Sequence, residues 1–447
     1  MKKTVKISTL ILFMLIQTAI MDCFADVKIN QLEKVFDEFL IGGDAQILYR
    51  ADSNPYFGAQ IGSTDDTDSS YSELMGKLRL TSKKDIGWSK LEAQFAAAFA
   101  KTVGQDFYGA ADNTDDVKID QAWLKFEQIS NSPFNLTVGT QDIKIEKQFL
   151  VGDGRGQDAA IWLQGINSFP FAVVADGDLG AFKPKLFYAQ SEKYTQTWEG
   201  KDDVDLLGLN LHYDIKEKMY VYGGFTQKID NSYDKGFNEQ DTTSLYAGFD
   251  MAMEEFQIEG EAVVQSGDVK LMTGEEKDRD ALAWNMRAKY TAPIAYSPYL
   301  RLHYVSYGGD DSNDDDIQEF DPMFGGFADW NYTVIGEIVG ESQLPAINRQ
   351  NYIFEVGCSP TEATLLQAMY IVHRLDEPYA AMGSLNPVEL SSRNWADEVD
   401  LMFTWPVSDN LMIFLLAGVA MPDEAAEEFY GSDERAAFGQ AWFMYKF

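Results

Sequence analysis

The sequence predicts an all-β chain: a transmembrane antiparallel β-barrel of about 18 strands (roughly 16–18), with short turns at one end and long loops at the other. Three observations carry that expectation. Segments of about ten residues alternate apolar and polar side chains, which is the period of a strand. The connections between them alternate long and short. The last segment, Ala441–Phe447, is rich in aromatics and ends on Phe.

In chain order, residues 1–25 read as a cleaved Sec-type signal peptide. Lys2, Lys3 and Lys6 precede the apolar run Ile7–Met21, and Cys23-Phe24-Ala25 suits cleavage after Ala25. The run is shorter than the roughly 20 residues of a spanning helix. Asp22 directly before Cys23 argues against a lipoprotein signal. Residues 26–40 are expected as a short periplasmic segment, with a helix over Gln31–Leu40, and residues 41–447 as the barrel.

Strands are expected near 44–50, 72–81, 88–100, 117–128, 134–144, 158–165, 182–192, 204–214, 218–229, 242–252, 255–266, 280–291, 298–308, 351–358, 364–374, 396–404, 411–420 and 437–447. In Tyr71–Thr81, Leu74, Leu78 and Leu80 share one face, and Glu73, Lys77 and Arg79 the other. The same alternation recurs in Asp205–Asp214, Ala281–Tyr290 and Glu398–Trp405. Phe169–Ala175 also reads as a strand, but counting it breaks the even parity of a barrel, so 166–181 is taken as a longer periplasmic turn.

Tight links at Lys216-Glu217-Lys218, Met253-Glu254-Glu255 and Ser359–Ala363 alternate with long ones at 230–241, 267–279, 309–350, 375–395 and 421–436. A soluble sandwich would share the alternation but not this asymmetry. Tyr213, Tyr290, Trp405 and Tyr445 sit at segment ends, where amphipathic rings suit the membrane interfaces. Phe443, Tyr445 and Phe447 form the expected signal for the outer-membrane assembly machinery. No stretch after Ala25 holds 18 continuous apolar residues, so no membrane helix is expected.

Composition narrows the function. The chain has 36 basic and 71 acidic residues, a charge of -35, which excludes a nucleic-acid partner. Without residues 1–25 the balance is 33 to 70, or -37, and Cys358 is the remaining cysteine. An apolar content of 45% excludes disorder, and two cysteines exclude a disulfide scaffold.

In a spanning barrel the apolar face meets lipid and the polar face lines the lumen. Candidate lining and selectivity residues are therefore Lys77, Arg79, Lys90, Lys125, Arg287, Lys289, Arg301, His303, Glu355 and Asp400. The wall is mixed in sign, and facing charges on neighbouring strands also pair with one another. The longest loop, 309–350, is the expected constriction. Its stretch Phe320–Trp330 is too apolar for a loop in water, with Asp321, Phe324 and Trp330 as candidates.

The acid excess sits in the long loops: Asp310–Asp321 alone holds seven acids. Carboxylates suit a loop-bound Ca²⁺, but the Gly and Glu positions of an EF-hand loop are missing, and no other cofactor or metal is expected. No enzyme is expected either. His212, His303 and His373 lie alone in separate segments, and Ser306 faces away from His303 at a three-residue spacing. No G-x-S-x-G occurs, and Gly152–Gly156 is not followed by a helix as a nucleotide loop would be.

Three stretches carry a family likeness. Thr137-Val138-Gly139-Thr140-Gln141 is followed by Phe149-Leu150-Val151-Gly152-Asp153; Phe320–Gly325 lies in the longest loop; Glu398–Leu401 with Pro406–Leu411 makes the penultimate hairpin. In these the chain resembles the alginate-export family of outer-membrane channels. The resemblance implies an 18-stranded barrel and a channel role. It also implies a basic lumen for polyuronate, where this chain departs: Thr140 stands where Arg is typical, and the acid excess would repel a polyanion at the mouth.

The expected function is a porin-like channel in the outer membrane of a Gram-negative bacterium. It would serve passive diffusion or export of hydrophilic solutes, oligo- or polysaccharide among them, in contact with outer-membrane lipid and lipopolysaccharide. The alternatives are a non-conducting barrel acting as a surface interaction protein and, less favoured, a barrel enzyme.

Overall fold

The computed structural model describes residues 35–59, 68–105, 117–152, 154, 162–163, 165–193, 202–230, 237–271, 273–311, 315–325, 336–344, 346–380 and 388–447. The expected signal peptide and Trp330 lie outside the described residues.

The strands are β1 (Glu38–Ser53), β2 (Asp68–Asp85), β3 (Lys90–Gln105), β4 (Lys118–Glu127), β5 (Phe134–Gln141), β6 (Phe169–Gly177), β7 (Phe182–Lys193), β8 (Asp202–Lys216), β9 (Met219–Asp230), β10 (Phe237–Met253), β11 (Phe256–Leu271), β12 (Glu276–Thr291), β13 (Tyr299–Tyr307), β14 (Arg349–Cys358), β15 (Leu365–Leu375), the two-residue pair β16 (Tyr379–Ala380) and β17 (Val388–Glu389), then β18 (Asn394–Pro406), β19 (Leu411–Pro422) and β20 (Ala436–Lys446). Eighteen of them form one antiparallel sheet, and β16 with β17 make a small loop hairpin. Each barrel strand pairs with its sequence neighbours, and β1 pairs with both β2 and β20, so the sheet closes and leaves no edge. The last residue takes part: Phe447 N–H donates to Gly43 O (3.1 Å) and Gly43 N–H to Phe447 O (3.0 Å).

The alternation in the sequence sets the two faces. Leu78, Phe95, Leu124, Leu186, Leu245, Leu282 and Leu302 point outward as an exposed apolar band. Glu73, Arg287, Arg301, Glu355 and Glu398 point inward on the opposite parity. Apolar-out, polar-in is the reverse of a soluble core and matches a lipid solvent. Lys218 (φ 59°) and Glu254 (φ 49°) take left-handed backbone so that β8–β9 and β10–β11 can turn in two residues. At the other strand ends lie the long connections, among them 142–168 and 308–348.

Four expectations are corrected. The described residues hold no helix before β1: the strand starts at Glu38, because Phe39 and Ile41 continue the ladder opposite Ser82 and Leu80. The expected strand at 158–165 is absent from its described part, where Trp162 and Leu163 are irregular. Instead Phe169–Gly177, read as part of a turn, is β6, and the true turn is 178–181. Alternation fails there because Phe169, Ala172 and Val174 face not water but other apolar groups, so both faces are apolar. Finally, the loops expected at 230–241 and 267–279 are shorter, since β10, β11 and β12 run on as long strands of 17, 16 and 16 residues.

Candidate channel lumen

Two connections fold into the barrel and pair there. Gly152 N–H donates to Phe324 O (2.7 Å), and Phe324 N–H donates to Leu150 O (2.9 Å). Around that junction Phe149 stacks on Tyr307 (5.4 Å between centroids) and meets Phe320 (5.9 Å), while Phe324 lies edge-on to Phe169 (5.1 Å). These rings are buried against Val263, Ala281, Ala283 and Val305 of the wall. The apolar run from Phe320 is therefore packed inside the barrel, as its composition predicts. The partner loop, 142–168, was not foreseen, although Ile143, Ile145, Phe149, Leu150 and Val151 make it equally unsuited to water.

Charged wall residues hold the loops. Asp321 pairs with Lys228 (2.5 Å) and Arg279 (3.1 Å), and its backbone exchanges two hydrogen bonds with the Gln265 amide. Glu398 accepts N–H donors from Ile338 (2.8 Å) and Val339 (3.0 Å), and its other neighbour is His373 (3.2 Å). Glu73 accepts from the N–H of Trp162 and Leu163 (3.0 and 2.9 Å). Arg349 donates to Leu344 O (2.6 Å). Glu398, Glu73 and Arg349 are satisfied by loop backbone, and Lys228 and Arg279 by the loop carboxylate of Asp321, as a low-dielectric site requires.

The tip of the 142–168 connection docks lower on the wall. Glu146 (φ 46°) accepts from Asn210 (2.6 Å) and contacts His212 (3.2 Å). Lys147 pairs with Asp250 (2.8 Å) and Glu259 (3.1 Å). Burial opposes the Lys147 charge, but Glu259 and Asp250 outweigh it and hold the amine above the usual lysine range. Asp142 is the converse: burial and then the nearby Asp120 push its carboxyl up, against Lys144, Lys77 and Arg79.

Below the loops the wall is mixed in sign. Arg287 pairs with Glu259, Arg301 with Glu355, Lys77 with Asp120 (2.9 Å) and Lys125 with Glu127 (2.8 Å). Lys289 lies over the Tyr299 ring (4.2 Å). Arg79 faces inward and is half-buried; Lys90 is exposed at the mouth, at the first residue of β3. His303 is buried opposite Arg287 in the ladder, and Asp400 is buried on the same face as Glu398. All ten candidates are thus on the inner face, most of them tied to a neighbour. Phe443 and Tyr445 share the outer face of β20. Among the described residues no group of three His, Cys, Asp or Glu is placed to hold a metal, and in the acidic run Asp321 is used as a loop anchor.

Comparison with curated proteins finds no match. Solved structures share the fold. OccAB1 of Acinetobacter baumannii aligns over 91% of this chain and 96% of its own, with TM-score 0.57 and 8% identity. Pseudomonas aeruginosa OccK5 (OpdH) aligns over 92% and 98%, at TM-score 0.56 and 9% identity. The outer membrane protein opdK from Pseudomonas aeruginosa aligns over 92% and 99%, at TM-score 0.54 and 11% identity. The sequence itself matches the alginate-export family (Alginate export) over residues 38–440. The chain therefore belongs to the alginate-export family, and it is a porin-like outer-membrane channel of a Gram-negative bacterium.

Proposed function

We propose that the barrel passes hydrophilic solutes, short saccharides among them, passively through a lumen narrowed by the two inward loops. The observation that carries this reading is the division of the inner face: apolar loops are latched across one half, and a wall of mixed charge lines the other. Because most wall charges are neutralised by a neighbour, the lumen favours solutes of low net charge over a polyanion. The acidic outer loops add a cation preference. In this reading Phe443, Tyr445 and Phe447 engage the assembly machinery, and the outer band meets lipid and lipopolysaccharide.

The test is planar-bilayer conductance of the refolded chain under a KCl gradient, with and without added oligouronate. A steady, cation-preferring current that oligouronate does not block is expected. Anion preference with uronate block would restore polyuronate as the solute. The packed loops favour one second reading, a non-conducting barrel that binds a surface partner, and an inserted barrel without current would select it.

A further inference from the structure

The inner face of the last three strands departs from the rest of the lumen wall. The ladder places Met402 of β18, Met412 and Phe414 of β19, and Trp442 and Met444 of β20 on the inward parity. That assignment is fixed by Glu398, which reaches the loop backbone inside the barrel from the same face of β18 as Met402. All five are half-buried, so they keep surface toward the lumen. Phe414 and Trp442 stack side by side, 4.9 Å between centroids and 29° between planes. The strip starts beneath the inward loop, where Trp442 packs against the cluster of Leu48, Met75, Ala100 and Leu163, and ends at the short-turn mouth, where Met412 opposes Pro406. A water-filled passage gives no reason for a continuous apolar wall on its own.

Hydrogen-bonding groups flank the strip. On one side Trp442 Nε1 donates to Gln46 (3.0 Å), whose amide donates to Asp44 (2.9 Å). On the other side Asp400, opposite Met369 in the ladder, is buried and adds negative charge behind the strip. An apolar ring platform with amide and carboxylate acceptors at its rim suits a ring with apolar faces and an equatorial belt of hydroxyls. The half-buried Asp44 carboxylate at the rim accepts from hydroxyls, and with Asp400 behind the strip it repels a uronate.

We propose that this strip is a binding track for neutral saccharides, along which pyranose rings stack on Phe414 and Trp442 between the short-turn mouth and the loop constriction. The proposal rests on the channel reading and names its solute.

The experiment records single-channel current through the full chain with a linear neutral glucose hexamer on the short-turn side. The expected result is concentration-dependent interruption of the wild-type current. Phe414→Ala and Trp442→Ala should weaken it about tenfold, as loss of about 1.4 kcal/mol of ring contact would, and Trp442→Phe should restore most of it. A hexauronate of equal length should interrupt less. Equal block of wild type and Phe414→Ala, or stronger block by the uronate, overturns the track while leaving the channel standing. Current without any block by the hexamer does the same. If no variant conducts, the channel reading falls, and calorimetric titration of the detergent-solubilised barrel with the hexamer decides the track: absence of binding overturns it.

Discussion

The loop-filled half of the barrel and the half below it are built from the same strands, yet their inner faces differ. Toward the long loops the wall offers Val263, Ala281, Ala283 and Val305, with charges such as Lys228, Arg279 and Glu398 that each grip a loop. Toward the short turns it offers Arg301 and Lys125, each neutralised by a wall carboxylate, while the carboxylates paired with Arg287 and Lys77 also hold the 142–168 connection. The difference teaches that inward-facing residues answer to whatever fills the space before them. Where loops fill it, the wall becomes a second protein core with polar latches. Where solvent fills it, the wall outside the last three strands stays charged and balanced.

The largest effect is expected at the latch whose one carboxylate holds two buried cations. Asp321→Asn keeps the shape but leaves Lys228 and Arg279 buried without their carboxylate. Removing one partner of a buried ion pair costs about 3–5 kcal/mol. Asp230, 3.7 Å from Lys228, offsets part of that. The loop should loosen, seen as raised or noisier single-channel conductance, while β-sheet content by circular dichroism stays. Unchanged conductance would mean that the loop does not narrow the passage. Phe320→Ala comes next: it empties a buried site between Phe149 and Tyr307 at about 3 kcal/mol. It should speed proteolysis within 308–348 in the folded barrel.

The same contrast explains what the sequence disclosed. Seventeen of the eighteen strands, the faces of Leu78 and Arg79, and the lumen direction of Arg301 and Glu355 are legible because lipid on one side and polar lining on the other preserve the period of two, and the total holds because the segment 158–165 stands in for β6. At Phe169–Val174 the lining is protein, the polar half of the signal disappears, and β6 was read as a turn. The inward fold of Phe320–Phe324 was legible from its composition. That of 142–168 was not, because its apolar residues are interrupted by Lys144, Glu146 and Lys147, the last two of which find their partners only in the folded barrel. Pairing between a loop and the wall, as between Lys147 and Glu259, is not encoded in local spacing.

A smaller effect is expected at Glu398→Gln. The amide still accepts from Ile338 or Val339 but loses the charge that strengthens both bonds, about 2 kcal/mol. Protection of those two amides in hydrogen exchange should fall while the barrel strands stay protected. If protection is unchanged, the segment 336–343 is held by Trp395 and its apolar neighbours instead.

The Lys147 dock tests the boundary between the halves. Its folded value is raised, so its contribution is fully present below the unfolded lysine value of 10.5 and is lost only as pH climbs through the higher folded value. Gating noise from the loop tip should therefore stay flat from neutral pH to about 10. Lys147→Met should raise that noise at every pH, by an amount corresponding to about 1.5 kcal/mol for a lost charged hydrogen bond. Noise in the wild type that rises between pH 7 and about 9 would place the tip's hold on another group.

The smallest effect belongs outside both halves and serves to calibrate them. Arg393 and Glu377 form an ion pair of 2.7 Å on the long-loop surface, with side chains 46% and 27% exposed. In water the Coulomb gain is offset by solvation and by the entropy of two long side chains, so Arg393→Ala should cost under about 0.5 kcal/mol. Single-channel conductance and thermal unfolding should match the wild type, and added salt should erase any residue of difference. If instead this variant shifts conductance as far as Asp321→Asn does, the gating charges are those of the outer surface, and the distinction between latched and solvated charge fails.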